Sequence, residues 1–213
     1  MKRDTILFDL DGTLINTNEL IIASFLYTLN KYFPEQYHRE HILPLMGMPL
    51  LETMEQFDKD RVQDLVQTYR EHNISNHDDL VTEFEGVFET VEELYKKGYK
   101  LGIVTTKMRN TVKMGLKLVG LEPFFQTVVT LDDVEKAKPD PEPVQRALRL
   151  LGSTPERAIM VGDSKYDILA GQNAGTQTAG VSWTIRGNDY LQQFNPDYML
   201  NEMTDLLDVL GER

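Results

Sequence analysis

The sequence predicts an α/β protein: a parallel sheet with helices on both faces, interrupted after its first strand by an all-helical insert. Three observations carry that expectation. From about residue 84 onward, short β-type runs alternate with amphipathic helical segments. Residues 15–83 show helical periodicity and no strand signal. An apolar run at residues 5–10 stands alone ahead of that insert. The division that follows gives residues 1–14 and 84–213 to the core and residues 15–83 to a helical cap, with hinge candidates near 14–17 and 82–86.

Each element has a local reason. In "ILFDLDGTLI" the apolar run ends at Asp9, Asp11 and a Gly-Thr turn, which reads as a buried strand opening into a loop. Within the insert, Leu20, Ile21, Phe25 and Leu29 recur at helical spacing, Pro34 stops that helix, and further helical runs are predicted at 49–57 and 59–73. The core resumes with "YKLGIVTT" as a strand after a helix closed by Gly98, then a helix over 108–118 ending at Gly120. "TVVTL" follows as a strand, and then a helix over 141–151 with Asp140 as N-cap, Pro141 in its first turn and Gly152 after it. "RAIMVGD", "TQTAGVSW" and "PDYML" complete the strands. Strand and helix alternating in this way give a doubly wound, Rossmann-like sheet.

Composition excludes several classes of function. With 213 residues, 41% of them hydrophobic, the chain can bury a real core. No run reaches membrane length, and "MKRDTILFDLDG" has too short and too acidic an apolar stretch for a signal peptide, so a cytoplasmic location is expected. The absence of cysteine rules out disulfides and thiol chemistry. A net charge of −12 argues against nucleic acid or an anionic membrane as partner, and nothing indicates an obligate protein partner. A small anionic phosphate substrate would have to be drawn in by local cations, helix N-termini or a metal. His38, His41, His72 and His77 all fall in the insert, match no zinc spacing and are read as solvated helical histidines.

Ligands of a parallel α/β sheet gather at the carboxyl ends of its strands. Four motifs are predicted there: Asp9-Leu10-Asp11-Gly12-Thr13, Thr105-Thr106-Lys107, Lys138 in "AKPDP", and Asp163 with Asp167 in "GDSKYD". Each also has an ordinary reading, as a turn, a helix cap or a solvated lysine. Their order after successive strands favours convergence. Carboxylates gathered in one pocket repel one another, and Mg²⁺ relieves this by binding one or two of them with a substrate phosphate oxygen. Asp9 and Asp163 suit that role. Asp11, crowded by like charges, suits a general acid. Lys138 and the Thr105 hydroxyl would orient phosphoryl oxygens, and backbone N–H groups around Gly12 would cradle an anion.

These four motifs, with a helical cap inserted after the first, resemble the haloacid dehalogenase superfamily of phosphatases along essentially the full chain. The resemblance implies that Asp9 is the nucleophile forming an aspartyl-phosphate, and that Asp11 protonates the leaving group and then activates water. It implies that Thr105 and Lys138 bind the transferring phosphoryl group. Asp163 would complete a Mg²⁺ site with the Asp9 carboxylate and the Asp11 backbone carbonyl, and Asp167 would ligate through water or orient the shell. Dehalogenation would need neither the metal nor Asp11, and the hinge histidine of related phosphomutases is replaced by Ile21.

"GLEPFF", "VVTLDDVEKAKPDPEPV" and "DYMLNEMTDLL" bring the chain closer to a pyrophosphatase branch of that superfamily. Phosphoglycolate phosphatases, its near relatives, usually read Thr-Asn-Lys where this chain has Thr105-Thr106-Lys107. Hydrolysis of inorganic pyrophosphate is implied, with a small phosphomonoester such as phosphoglycolate as the alternative and a non-catalytic phospho-acceptor module as a third reading. The second phosphate would be recognised by Thr106, Lys107 and the cap, where the loop "LMGMPLLE" brings Gly47 over the site. Lys31, Arg39, Lys59, Arg61 and Arg70 are the basic cap candidates, and Arg186 a further one from the core.

Overall fold

A computed structural model describes residues 3–212; the remaining residues of the predicted core, 1, 2 and 213, lie outside the described residues. The strands are β1 (Thr5–Phe8), β2 (Ile15–Asn16), β3 (Thr82–Glu83), β4 (Lys100–Val104), β5 (Thr127–Val129), β6 (Ala158–Gly162), β7 (Gln177–Val181) and β8 (Tyr198–Leu200). Six of them form one parallel sheet in the order β5-β4-β1-β6-β7-β8. From β1 the chain winds outward through β4 and β5, then crosses back to β6. The order therefore reverses beside β1, and a crevice opens beyond the carboxyl ends of β1, β4 and β6.

Alternation along the central strands builds two cores. Ile6 and Phe8 of β1, with Ile159 and Val161 of β6, face one side, where helices Val87–Lys96, Arg109–Leu118 and Asp205–Leu210 cover them. Leu7 and Met160 face the other side, under helices Glu142–Leu151 and Lys165–Ala174. Both faces are sealed, which is why these strands read as continuous apolar runs rather than alternating ones.

Helices Asn18–Tyr32, Arg39–Ile42, Leu50–Glu55, Val62–Ser75 and His77–Leu80 lie between β1 and β4 and enclose a separate apolar cluster that includes Phe25, Leu29, Leu65 and Tyr69. Phe25 and Tyr69 meet ring to ring at 4.8 Å. The all-helical expectation fails at the two ends of this segment: β2 and β3 pair antiparallel, Ile15 with Glu83 and Asn16 with Thr82. A ladder of two residues is too short to leave a periodic signal. The helix expected from 59 begins at Val62, because the Asp58 carboxylate accepts the N–H groups of Asp60 and Arg61 in a turn. The helix expected from 141 begins at Glu142, yet Asp140 still accepts its first N–H at 2.9 Å.

Solvated histidine is also wrong for His77, which is buried against the core with Nδ1 on Asp78. His72 stacks on Tyr27 and meets Ser24, and His38 and His41 form a reciprocal cap. Among the described residues no helix is long and apolar enough to cross a membrane.

Candidate active site

The crevice holds a buried ionic centre. Lys138 Nζ donates to Asp9 Oδ1 at 2.7 Å, to Asp167 Oδ1 at 2.5 Å and to the Val104 carbonyl at 2.8 Å. Lys138, Asp9 and Asp167 are almost wholly buried. Asp9 stands just past β1, where its N–H still pairs with Val161 at 2.9 Å, and Lys138 rises from the loop between β5 and the helix at 142. The second Asp167 oxygen accepts the Ser164 N–H at 3.0 Å and the Ser164 hydroxyl at 2.6 Å, closing the N-terminus of helix Lys165–Ala174. Asp167 is thus buried with both oxygens engaged, one on Lys138 and the other on Ser164.

Asp163 completes the centre. Carboxylate oxygens of Asp9, Asp163 and Asp167 lie within 4.8 Å of one another. One lysine does not compensate three carboxylates in so dry a place. Burial, aided by Asp167 and Asp11 and opposed by Lys138, pushes the Asp9 carboxyl up to about 7. Burial, then Asp167 and Asp9, pushes Asp163 well above the ordinary carboxylate range. Burial alone would lower Lys138, but Asp167 and Asp9 outweigh it and hold the ammonium charged. An oxygen-rich, under-compensated cluster of this kind fits a hard divalent cation. Two glycines make the approach possible. A Cβ on Gly12, whose φ is +77°, would lie 2.4 Å from an Asp163 oxygen, and one on Gly162 would lie 2.2 Å from Asp167 Cβ.

Asp11 is held apart from this cluster. Its Oδ1 accepts Lys107 Nζ at 2.5 Å and the Thr17 hydroxyl at 2.6 Å, leaving Oδ2 without a hydrogen bond among the described residues. Thr17 precedes helix Asn18–Tyr32, yet its side chain does not cap that helix. Sequence reasoning missed it; a hydroxyl six residues past Asp11 at the mouth of the insert was the available signal.

Lys107 was expected to meet a second phosphate; it lines the cavity, and its ammonium pairs with Asp11. Gly12 was expected to offer its N–H to an anion, but that N–H bonds the Ile15 carbonyl at 2.8 Å; its contribution is a positive φ and the absence of a Cβ. Thr105 is buried just past β4, where its Oγ1 accepts the Lys107 N–H at 3.2 Å, and it is not among the residues lining the cavity. Thr106 meets the Gly47 carbonyl at 3.4 Å, joining the core to the loop of the insert, and both residues line the cavity.

That cavity measures about 330 Å³ and runs from Asp9, Asp163 and Lys138 up to the insert. Its upper wall is largely apolar, with Ile21, Phe25, Met46, Met48 and Leu51 among its members. Arg186 anchors the loop at 43–48 from outside: its guanidinium donates to the Met46 carbonyl, to Pro44 O at 3.4 Å and to the Tyr190 hydroxyl. It also eases the negative field on Asp163.

A parallel sheet whose order reverses beside β1, with a buried aspartate, a buried lysine and an acidic cluster at that switch point, suits a class of phosphate-handling hydrolases. The chain belongs to the haloacid dehalogenase-like hydrolases, whose family pattern it matches over residues 6–181. Within that family it is 59% identical over 212 residues to the pyrophosphatase PpaX of Bacillus cereus, covering 100% of this chain and 98% of the relative. Among solved structures it superimposes on a haloacid dehalogenase-like hydrolase from Bacteroides fragilis with a TM-score of 0.89 at 25% identity, covering 96% of this chain and 100% of the other. It matches another from Streptococcus pneumoniae with a TM-score of 0.86 at 28% identity, covering 97% and 98%.

Proposed function

We propose that the chain hydrolyses inorganic pyrophosphate in the cytoplasm, with Mg²⁺, through an aspartyl-phosphate on Asp9. The observation that carries this reading is the buried Asp9–Lys138–Asp167 centre with Asp163 beside it, in a chain 59% identical to PpaX throughout.

The Asp9 and Asp163 carboxylates and the Asp11 backbone carbonyl would hold the cation, with Asp167 ordering the surroundings through Lys138. When bound, Mg²⁺ neutralises phosphate oxygens and the crowded carboxylates. The chain's own residues do the rest. An Asp9 oxygen attacks the near phosphorus while Lys138 and the Thr105 hydroxyl hold equatorial oxygens. The P–O bond to the far phosphate breaks, and that phosphate takes a proton from Asp11. Asp11 then removes a proton from water, whose oxygen attacks the same phosphorus and releases Asp9 with a second phosphate. Lys107 and Thr17 orient Asp11 through Oδ1, which leaves Oδ2 to carry the proton. Residues 15–83 act as a cap whose closure excludes water.

The apolar upper wall favours a second reading, a small phosphomonoester whose carbon skeleton rests against it. A panel of pyrophosphate, phosphoglycolate, sugar phosphates and phenyl phosphate, assayed for phosphate release with and without Mg²⁺, separates the two. Fastest turnover of phosphoglycolate rejects the pyrophosphatase reading. Full activity in Asp9→Asn rejects the nucleophile.

A further inference from the structure

Pyrophosphate has no carbon for the apolar wall to grip, so its departing phosphate must be read by charge. On the floor of the cavity, Lys138 is shared between Asp9 and Asp167 and is given to the near phosphate, and Lys107 pairs with Asp11. The insert has five basic residues of interest. Arg39 is held by Glu19 through two bonds of 2.8 and 2.6 Å, and Arg61 by Asp58 at 2.8 Å. Lys31 lies on the Tyr32 ring and meets Thr68 at 3.4 Å. Lys59 does not line the cavity.

Arg70 differs on both counts. It lines the same cavity as Asp9 and Asp163, and among the described residues it makes no ion pair or hydrogen bond. Its place on helix Val62–Ser75 explains this. Arg70, Asn73 and Ile74 share the face three and four residues apart that looks into the cavity, and Tyr69 borders it. Asn73 and Tyr69 bond each other at 3.5 Å, and Asn73 also donates to Ser24 at 3.3 Å, so the polar groups beside Arg70 face inward. The helix thus presents one uncommitted, solvent-exposed guanidinium on the wall of a cavity whose floor is acidic.

Resting on the pyrophosphatase reading, we propose that Arg70 is the specificity-determining residue that binds the leaving phosphate, by the planar two-bond fork that arginine forms with phosphate oxygens. The substrate would span the cavity, one phosphate on the floor and the other on Arg70. An orthophosphate fills only the floor and gains nothing from it.

Calorimetric titration of the Mg²⁺-loaded protein with imidodiphosphate, which resists hydrolysis, and with orthophosphate tests this directly. The wild type is expected to bind imidodiphosphate more tightly. Arg70→Ala should lower that preference by about 10- to 100-fold, the loss of a charge-assisted pair, and Arg70→Lys by less. Arg39→Ala and Lys59→Ala should leave the preference unchanged. In turnover of pyrophosphate, Arg70→Ala should raise KM more than it lowers kcat. Equal weakening of both ligands in Arg70→Ala, no weakening of either, or no preference in the wild type overturns the assignment. A wild type that prefers imidodiphosphate through Arg70 yet releases no phosphate from pyrophosphate refutes the hydrolytic reading and leaves Arg70 standing.

Discussion

Replacing Asp9 by asparagine should abolish activity and yet make the metal-free protein more stable at pH 8. Asp9 is nearly fully buried, and its carboxyl is raised from 3.8 to about 7 by burial first, with Asp167 and Asp11 adding to the effect. An acid whose pKa is higher in the folded state binds its proton more tightly when folded. Its stabilisation is therefore present at low pH and is lost as pH rises from about 4 to about 7. At 1.36 kcal/mol per pH unit, that interval corresponds to a loss of about 4 kcal/mol by pH 8. Asparagine keeps the shape and never ionises, so it avoids this loss. The attraction of Lys138 at 2.7 Å is already contained in that figure, since it opposes the rise of the Asp9 carboxyl. The net expectation for Asp9→Asn over wild type is a gain of about 4 kcal/mol at pH 8, shrinking to about 1–2 kcal/mol at pH 5.

Urea unfolding of both proteins in chelator at the two pH values measures this. Groups such as His72, whose burial lowers its pKa and adds stability as pH rises, are common to both and cancel in the difference. Saturating Mg²⁺ should reverse the order at pH 8, because it binds the folded wild type through the Asp9 charge that the variant lacks. A variant no more stable than wild type at pH 8 in chelator, or a difference that does not change with pH, would refute the claim that Asp9 is an under-compensated buried carboxylate.

Lys138→Met should cost about 3–5 kcal/mol in unfolding free energy, since it strands Asp9 and Asp167 without their shared partner, and should reduce kcat by roughly 10²–10³-fold; urea melts and steady-state phosphate release check the two effects. Gly12→Ala combines a positive φ with a Cβ 2.4 Å from Asp163, so it should weaken Mg²⁺ binding, measured by calorimetry, well before it unfolds the sheet. Arg186→Ala should release the loop at 43–48 from its anchor on the core, seen as faster amide exchange across Leu45–Met48 and a raised KM.

The sequence carried most of the fold because strands sealed on both faces advertise themselves as apolar runs, as at Ile159–Val161, while helices such as 142–151 announce their ends with Pro141 and Gly152. The β2–β3 pair was illegible, since two residues per strand set no period. At the site, Asp9 and Asp163 were legible because each is an unforced charge just past a strand, and Lys138 by its place in the "AKPDP" loop that follows β5. Their partners were harder to read. That Lys107 turns to Asp11 instead of outward, and that Thr17 joins it, depends on how the insert leaves the core, a relation between segments that no local spacing encodes. Arg70 was one of five equivalent cations in the sequence, and only three-dimensional pairing of the other arginines with acids sets it apart.

The charges around the cavity explain how a chain of net charge −12 can attract an anion at all. Asp9, Asp11, Asp163 and Asp167 face Lys107, Lys138 and Arg70 across it, a formal excess of one negative charge. A divalent cation converts that to one positive charge, so the site is hospitable to phosphate only when the metal is present. Metal and substrate binding should therefore be strongly cooperative. Neutralising Asp163 alone by asparagine should weaken Mg²⁺ while improving orthophosphate binding to the metal-free protein, and calorimetry in chelator distinguishes this from a collapsed site, which would bind neither. Loss of both ligands in Asp163→Asn would show instead that this carboxylate shapes the pocket and that its charge does not set the field.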